Sequence, residues 1–146
     1  MTAPPGSNDE PRSNRLSKLS IRPAAKTAFH DITSEVQSIV DKSNVAAGTC
    51  FIFVPHTTAA VTMNENADPA VLTDLRREFN RVAPNRADFE HAEGNSPAHM
   101  AATLTGHSMF VFIEGGRLLL GTWQAIYLAE FDGPRQREVL VKIVPG

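Results

Sequence analysis

The sequence predicts an α+β domain with a mostly antiparallel sheet and two or three helices. Three observations lead to this fold class. The chain has 146 residues, 42% of them hydrophobic, which is enough for one packed core. Its C-terminal part consists of short apolar segments joined by glycine-containing turns, which is typical of antiparallel strands. Apolar residues recur at helical spacing in the middle of the chain.

Residues 1–15 differ in composition from the rest of the chain. They are mostly proline, serine, asparagine and charged residues, with few apolar side chains to bury. This composition predicts a disordered N-terminal extension, and it lacks the apolar segment of a secretory signal. We therefore expect a single folded domain over residues 16–146 and a cytoplasmic location.

The composition argues against several classes of protein. Lys and Arg total 14 against 16 Asp and Glu, so the chain lacks the basic surplus of a nucleic-acid-binding domain. No apolar stretch approaches the roughly 20 residues of a transmembrane helix, so we expect no membrane partner. The single cysteine, Cys50, excludes an internal disulfide bond and a cysteine-rich zinc site. Its apolar neighbours predict an unreactive thiol in the core.

The first part of the folded segment predicts one helix and two strands. Apolar residues at positions 32, 36, 39 and 40 indicate a helix over residues 33–43, with Ser34 and Gln37 as a capping box. Residues 50–55 (CFIFVP) predict a buried strand, because they are apolar and rich in aromatic and β-branched side chains. Residues 59–63 (AAVTM) predict the next strand.

Two more helices are predicted after these strands. Asp68 and Pro69 form a favourable N-cap and first-turn pair, and apolar residues at positions 71, 72, 75 and 79 form a stripe on the helix that follows. A third, short helix begins at Ser96, with Leu104 buried and Gly106 at its end.

The remaining residues predict strands. Two glycines at positions 115 and 116 join residues 108–114 to residues 117–120, which indicates a hairpin. Residues 123–131 predict a further strand. A turn at residues 132–134 leads from it into a last strand over residues 138–144, where apolar residues at 139, 141 and 143 share one face.

The first group of candidate site residues lies where the two early strands end. The segment His56–Thr58 directly follows a buried strand, where a rigid scaffold can aim its side chains at a ligand. Asn64, Glu65 and Asp68 follow the next strand, and their oxygen atoms suit a ligand or a hydrated cation. The alternative is structural, with Asp68 capping the helix and Glu65 solvated.

A second group spans residues 91–99 (HAEGNSPAH). Gly94 and Asn95 tolerate positive φ, and backbone N–H groups at a helix start point into such a bend. These features predict a cradle for phosphate or carboxylate, with His99 beside it. His91 and His99 flank the bend and can approach each other. With His56 they offer the alternative of a three-histidine metal site.

Aromatic and basic side chains complete the candidates. Trp123 either packs in the core or forms a flat wall for an aromatic ring, with Gln124 at its polar edge. Arg135 and Arg137 lie in a turn and suit a phosphate or carboxylate, although solvated arginines are equally common there. His30 and His107 have no cluster of polar candidate residues beside them in the sequence, and we expect them to be structural or exposed. The chain has no nucleophile elbow, phosphate-binding loop, dinucleotide fingerprint or zinc-protease motif.

Four ordered segments resemble the YjbQ family, also called UPF0047: GTCFIFVPHTTAAVTMNENADP, HAEGNSPAH, GRLLLGTWQ and DGPRQREVLVKI. The resemblance covers approximately residues 16–145 and identifies residues 16–146 as one YjbQ-like domain. It implies a compact α+β domain with a β-sandwich-like mixed sheet, assembling as a homotrimer with sites near subunit interfaces. Members are described as secondary thiamine-phosphate synthases.

The resemblance carries functional roles onto matching positions of this chain. It implies catalytic roles for His56, Glu65 and His99. The implied substrate-binding residues are Thr57, Thr58, Asn64, Asp68, Asn95, Trp123, Gln124, Arg135 and Arg137.

The implied reaction joins a pyrimidine methyl pyrophosphate to a thiazole ethyl phosphate and releases pyrophosphate. We expect Glu65 and Asp68 to hold Mg²⁺ through water, His56 to act as the general acid or base, and no organic cofactor to be needed. One alternative is a metal-dependent hydrolase or phosphatase, with Zn²⁺ or a similar ion on His56, His91 and His99. Another is a trimeric module that binds a phosphorylated metabolite without turnover.

Overall fold

The computed structural model describes residues 16–146, and the predicted N-terminal extension lies outside this range. The described residues form eight strands and three helices, which confirms the α+β class. The elements are, in chain order, β1 (Leu16–Ile21), β2 (Ala28–Asp31), α1 (Thr33–Ser43), β3 (Gly48–Phe53), β4 (Ala59–Glu65), α2 (Pro69–Val82), α3 (Ser96–Thr105), β5 (Ser108–Glu114), β6 (Arg117–Leu118), β7 (Gln124–Glu130) and β8 (Arg137–Pro145).

The strands form two sheets. One has the order β1-β8-β3-β5-β6 and the other the order β2-β7-β4. Every strand pair in residues 16–146 is antiparallel, which confirms the predicted mostly antiparallel sheet. Antiparallel pairing suits the short connections between neighbouring strands, because a parallel pair needs a longer crossover.

The main core consists of the inner faces of both sheets and one side of α1. Val139, Val141 and Ile143 of β8 are buried on a single face, as their alternation predicts. Ile126 and Leu128 of β7 belong to the same buried cluster. Cys50 also lies in this cluster, and burial raises the pKa of its thiol to about 12. The thiol therefore stays protonated and unreactive at neutral pH, as the sequence predicts.

A second, smaller core covers the other face of the three-stranded sheet. Small residues of α3, among them Ala98 and Ala102, pack with Ala60 and Ala129 of the sheet and with Phe131. Small side chains allow the helix to approach the sheet closely. Leu104, also on α3, is 62% exposed, so the prediction that it is buried is wrong.

The helix boundaries agree with the predictions, although not every cap does. Asp68 accepts a hydrogen bond from the N–H of Ala70 at 2.9 Å and caps α2 as predicted. The capping box at Ser34 and Gln37 is wrong: Ile32 is the N-cap residue, and the carboxylate of Asp31 accepts the N–H of Thr33 at 2.9 Å. Gln37 instead contacts the β5–β6 turn: its amide donates to the carbonyl of Gly116 and accepts the N–H of Leu118.

The strand predictions fail where pairing depends on distant residues. β1 and β2 were not predicted, and β6 is shorter than its predicted range. The turn after β7 does not form a hairpin, because β2 and β4 already pair with the two edges of β7. The chain crosses there to the other sheet. No helix in the described range is both long and apolar enough to span a membrane.

Candidate functional site

A cavity of about 650 Å³ lies where β3 and β7 end and β4 and β8 begin. We call it the histidine cavity. Its polar lining residues are His56, Thr57, Thr58, His91, Glu93, Asn95, His99, His107, Arg135 and Arg137. The structure thus brings eight of the predicted site residues together, along with Glu93 and His107.

A buried ion pair lies at the base of the cavity. Arg137 donates from Nε to Oε1 of Glu130 at 2.8 Å and from Nη2 to Oε2 at 2.5 Å. The side chains are 5% and 0% exposed. Nη2 also donates to Oγ1 of Thr58 at 2.8 Å, and Oε2 accepts the N–H of Phe131 at 3.1 Å. Arg137 is therefore not a solvated turn residue, because it joins β8 to β7 and to the loop before β4.

The His56 ring is held at the cavity wall. Its Nε2 accepts a hydrogen bond from the backbone N–H of Glu138 at 2.9 Å. Desolvation and the positive charge of Arg137 lower the pKa of His56, while the carboxylates of Glu130 and Glu138 and the backbone hydrogen bond with Glu138 act in the opposite direction. The net lowering makes His56 neutral at pH 7, so it can accept or donate a proton.

Two other histidines contact each other across the cavity. The ring centroids of His91 and His99 are 5.3 Å apart in an edge-to-face arrangement, as expected from residues flanking a bend. His107 also lines the cavity, whereas His30 is exposed. His107 was missed because its neighbourhood depends on the pairing of β3 with β5. The carbonyl of His107 accepts the N–H of Val54 at 2.8 Å, which places it beside the loop that carries His56.

The bend before α3 offers fewer backbone donors than predicted. The N–H groups of Ala98 and His99 both bond to the carbonyl of Asn95, and Pro97 has no N–H. Gly94 has the expected positive φ, 71°. The Asn95 amide donates to Asp132 at 2.9 Å, while its buried Oδ1 has no partner among residues 16–146.

Arg135 lies at the exposed rim of the cavity. Its Nη2 donates to Oδ2 of Asp132 at 3.0 Å, and its Nε donates to the Asp132 carbonyl at 2.9 Å. Asp132 therefore holds both Arg135 and Asn95 at this edge.

The remaining predicted site residues lie at the opposite end of the three-stranded sheet. Ala59 pairs with Glu130 beside the cavity, whereas Glu65 pairs with Gln124 at the far end of β4. At 3.3–3.4 Å per residue, this separation is about 20 Å. We call the second group, formed by Asn64, Glu65, Asp68, Trp123 and Gln124, the distal cluster.

The distal residues are held mostly by local contacts. Gln124 accepts the N–H of Gly121 at 2.8 Å, and Asn64 accepts the N–H of Glu65 at 2.7 Å. Trp123 is 61% exposed, so the core-packing alternative is wrong.

The predicted metal ligands are not arranged around one point in the described residues. No three His, Cys, Asp or Glu side chains within residues 16–146 are arranged to hold a metal ion. Glu65 lies about 20 Å from the cavity end of β4, and one carboxylate oxygen of Asp68, which follows it, accepts the N–H of Ala70 in the helix cap. The Mg²⁺ arrangement therefore does not fit a pyrophosphate bound in the cavity of the same chain.

Comparisons with known proteins agree with this fold. A sequence profile described as UPF0047 protein YjbQ-like matches residues 17–146. The UPF0047 protein YugU of Bacillus subtilis is 44% identical over 130 residues, covering 88% of this chain and 98% of YugU. A UPF0047 protein of Methanocaldococcus jannaschii is 46% identical over 129 residues, covering 88% and 94% of the two chains.

Solved structures give the same result. A YjbQ/UPF0047 family protein from Clostridium acetobutylicum is 48% identical with a TM-score of 0.85, covering 88% of this chain and 99% of its own. A protein of unknown function from Sulfolobus solfataricus is 32% identical with a TM-score of 0.86, covering 90% and 97% of the two chains. The present chain belongs to the YjbQ-like UPF0047 family.

Proposed function

We propose that the histidine cavity binds the phosphoryl groups of a small phosphorylated metabolite. The supporting observation is the cavity's lining: among residues 16–146, four histidines and two arginines face one space together with one lining carboxylate, that of Glu93. Guanidinium and imidazole N–H groups are preferred donors to phosphate oxygens.

The proposed reaction is the one that the family resemblance implies. The ring nitrogen of a thiazole ethyl phosphate attacks the methylene carbon of a pyrimidine methyl pyrophosphate. The new C–N bond forms as the C–O bond to pyrophosphate breaks, and pyrophosphate leaves with the bonding electron pair. Donors in the cavity stabilise the charge on the departing pyrophosphate. We propose that His56 and His99, which line the same cavity, donate hydrogen bonds to the oxygen atoms of the departing pyrophosphate.

We also propose that the chain assembles as a homotrimer through the outer face of the five-stranded sheet. This face carries Phe51, Phe53, Phe110 and Phe112, which are 46–55% exposed. Phe51 lies opposite Phe110 in the β3–β5 register, so the rings form one apolar surface. A contiguous exposed apolar surface is typical of a subunit interface. Assembly also offers a way to use the distal cluster, because one subunit can present it to its neighbour's cavity.

A metal-dependent hydrolase is the second candidate. The contact between His91 and His99 favours it, because two imidazoles at this separation can share an ion. A third ligand would have to come from a neighbouring subunit or from outside residues 16–146. This function predicts that one metal ion per chain is retained through purification. It also predicts that the protein hydrolyses phosphate esters and that chelators abolish this activity.

The test is pyrophosphate release by the purified protein with both substrates, with and without Mg²⁺. We expect turnover by the wild type and a rate lower by a factor of about 100 or more in His99→Ala. His30→Ala is the matched control, since His30 is exposed and does not line the cavity. Undiminished turnover in His99→Ala would exclude that residue from the reaction.

Other outcomes of the assay separate the candidates. Chelator-sensitive hydrolysis with a retained metal would support the hydrolase. Thermal stabilisation by phosphate or pyrophosphate without any turnover would support a non-enzymatic binding module.

A further inference from the structure

A backbone hydrogen bond determines which nitrogen of His56 carries the proton. The N–H of Glu138 donates to Nε2 at 2.9 Å. An accepting imidazole nitrogen has no proton, so the proton of the neutral ring lies on Nδ1. Of the two ring nitrogens, Nδ1 is therefore the one available to a ligand, and it is a donor.

This arrangement disagrees with His56 as a metal ligand. A metal ion at Nε2 would have to displace the N–H of Glu138. A metal ion at Nδ1 would move the ring proton to Nε2, where it would face the same N–H with no acceptor between them. Either binding mode breaks the observed hydrogen bond.

Arg137 provides a second donor to the same cavity. Its Nε and Nη2 bond to Glu130 and Thr58, whereas Nη1 makes no hydrogen bond among residues 16–146. Because two sides of the guanidinium are held, the direction of Nη1 is fixed. Arg137 and Glu138 are neighbours on β8, so this strand both orients the His56 ring and carries the guanidinium.

We propose that His56, through Nδ1–H, and Arg137, through Nη1, together donate to a phosphoryl group in the cavity, and that His56 is not a metal ligand. The phosphoryl part rests on the proposed function, whereas the position of the ring proton does not. Glu130 and the backbone of Glu138 act as positioning groups, since they hold the two donors without touching the ligand.

The first test reads the ring proton directly. Long-range ¹H–¹⁵N correlation spectra of the ¹⁵N-labelled protein at pH 7.5 distinguish a protonated from an unprotonated ring nitrogen, and the spectrum of His56→Gln assigns the His56 signals. We expect the proton on Nδ1 and no shift of either His56 nitrogen on addition of Zn²⁺ alone. A proton on Nε2, or a Zn²⁺-dependent shift at His56, would overturn the assignment.

The second test uses two substitutions that separate the ring nitrogens. The amide nitrogen of asparagine lies near the position of Nδ1, whereas the glutamine amide reaches the position of Nε2. His56→Asn therefore keeps an N–H donor near the position of Nδ1. His56→Gln keeps only an acceptor for the N–H of Glu138, near the position of Nε2. By calorimetry with inorganic phosphate, we expect affinity within about threefold of wild type for His56→Asn. We expect a loss of about tenfold or more for His56→Gln.

The outcomes distinguish this inference from the proposed function. Equal affinities of the two variants, whether retained or lost, would overturn the Nδ1 donor, provided that thermal unfolding shows both to be folded. A wild type that binds neither phosphate nor pyrophosphate would overturn the phosphoryl site and the proposed function together. The spectra of the wild type decide the position of the ring proton in either case.

Discussion

Arg137 and Glu130 form a two-point ion pair between the two sheets, with both side chains buried. Arg137 begins β8 of the five-stranded sheet, and Glu130 ends β7 of the three-stranded sheet. Further hydrogen bonds connect the pair to Thr58 and to the backbone after β7. The pair therefore connects the two sheets, and its Arg137 also lines the histidine cavity.

Removal of one partner should destabilise the protein strongly. In Glu130→Gln the guanidinium of Arg137 stays buried without its counter-charge. We expect the free energy of unfolding to fall by about 3–5 kcal/mol, measured by chemical denaturation. Lys18→Ala is the matched control, because Lys18 pairs with Glu138 at 3.6 Å on the surface. An exposed pair of this kind contributes less than about 1 kcal/mol. A Glu130→Gln loss no larger than that of Lys18→Ala would contradict the importance of the buried pair.

The lowered pKa of His56 makes stability depend on pH. Its unfolded value is 6.5, and the folded value is lower because of desolvation and the charge of Arg137. Between the two values the unfolded chain binds more protons than the folded one, so the free energy of unfolding rises with pH and levels off above about 6.5. The carboxylates of Glu130 and Glu138 oppose this shift, because they raise the pKa of His56. The other charged or titratable residues that line the cavity are Arg135, Glu93, His91, His99 and His107.

The contribution of His56 is measured as a difference between two proteins. The free energy of unfolding of the wild type, minus that of His56→Gln, should increase from pH 5 to pH 7. Titrating groups that behave alike in both proteins contribute equally to the two free energies of unfolding, so their contributions cancel in the difference. A difference that stays constant, or that decreases with pH, would show that the folded protein does not disfavour the charged ring.

Local sequence patterns were enough to predict most elements but not their partners. Asp68 and Pro69 predicted the start of α2, since an N-cap depends on neighbours within three residues. The alternation of residues 139, 141 and 143 predicted the buried face of β8 in the same way. β2 has only four residues, and its pairing with β7 is what defines it as a strand. Sheet membership depends on long-range pairing, which these patterns do not encode.

The sequence predicted which residues belong to the candidate site more completely than it predicted where they lie relative to one another. Most of the predicted residues meet in the histidine cavity, because the loops that carry them leave the same end of the sandwich. Glu65 and Trp123 do not, because β4 and β7 extend the full length of the three-stranded sheet and place them at its other end. His107 enters the cavity only through the pairing of β3 with β5. The catalytic and binding roles of these residues stay predictions.

The phenylalanine surface predicts that assembly can be weakened without unfolding the subunit. Phe51 and Phe110 lie opposite each other and are about half exposed, so serine at both positions removes little of the core. We expect the double variant to shift from trimer to monomer in light scattering at concentrations where the wild type is trimeric. Leu104→Ser, an equally exposed apolar residue on α3, should leave the assembly unchanged. A monomeric wild type would contradict the proposed homotrimer.

Trp123 gives a direct measurement of whether assembly covers the distal cluster. It is the only tryptophan of the chain, so its fluorescence needs no separation from other signals. Its side chain is exposed in the single subunit, and Leu119 in the same loop is also exposed. If a neighbouring subunit uses the distal cluster, iodide should quench the fluorescence less in the trimer than in the monomeric Phe51→Ser/Phe110→Ser variant. Equal quenching in trimer and monomer would mean that Trp123 stays in solvent after assembly. The distal cluster would then have to act separately from the histidine cavity of any subunit.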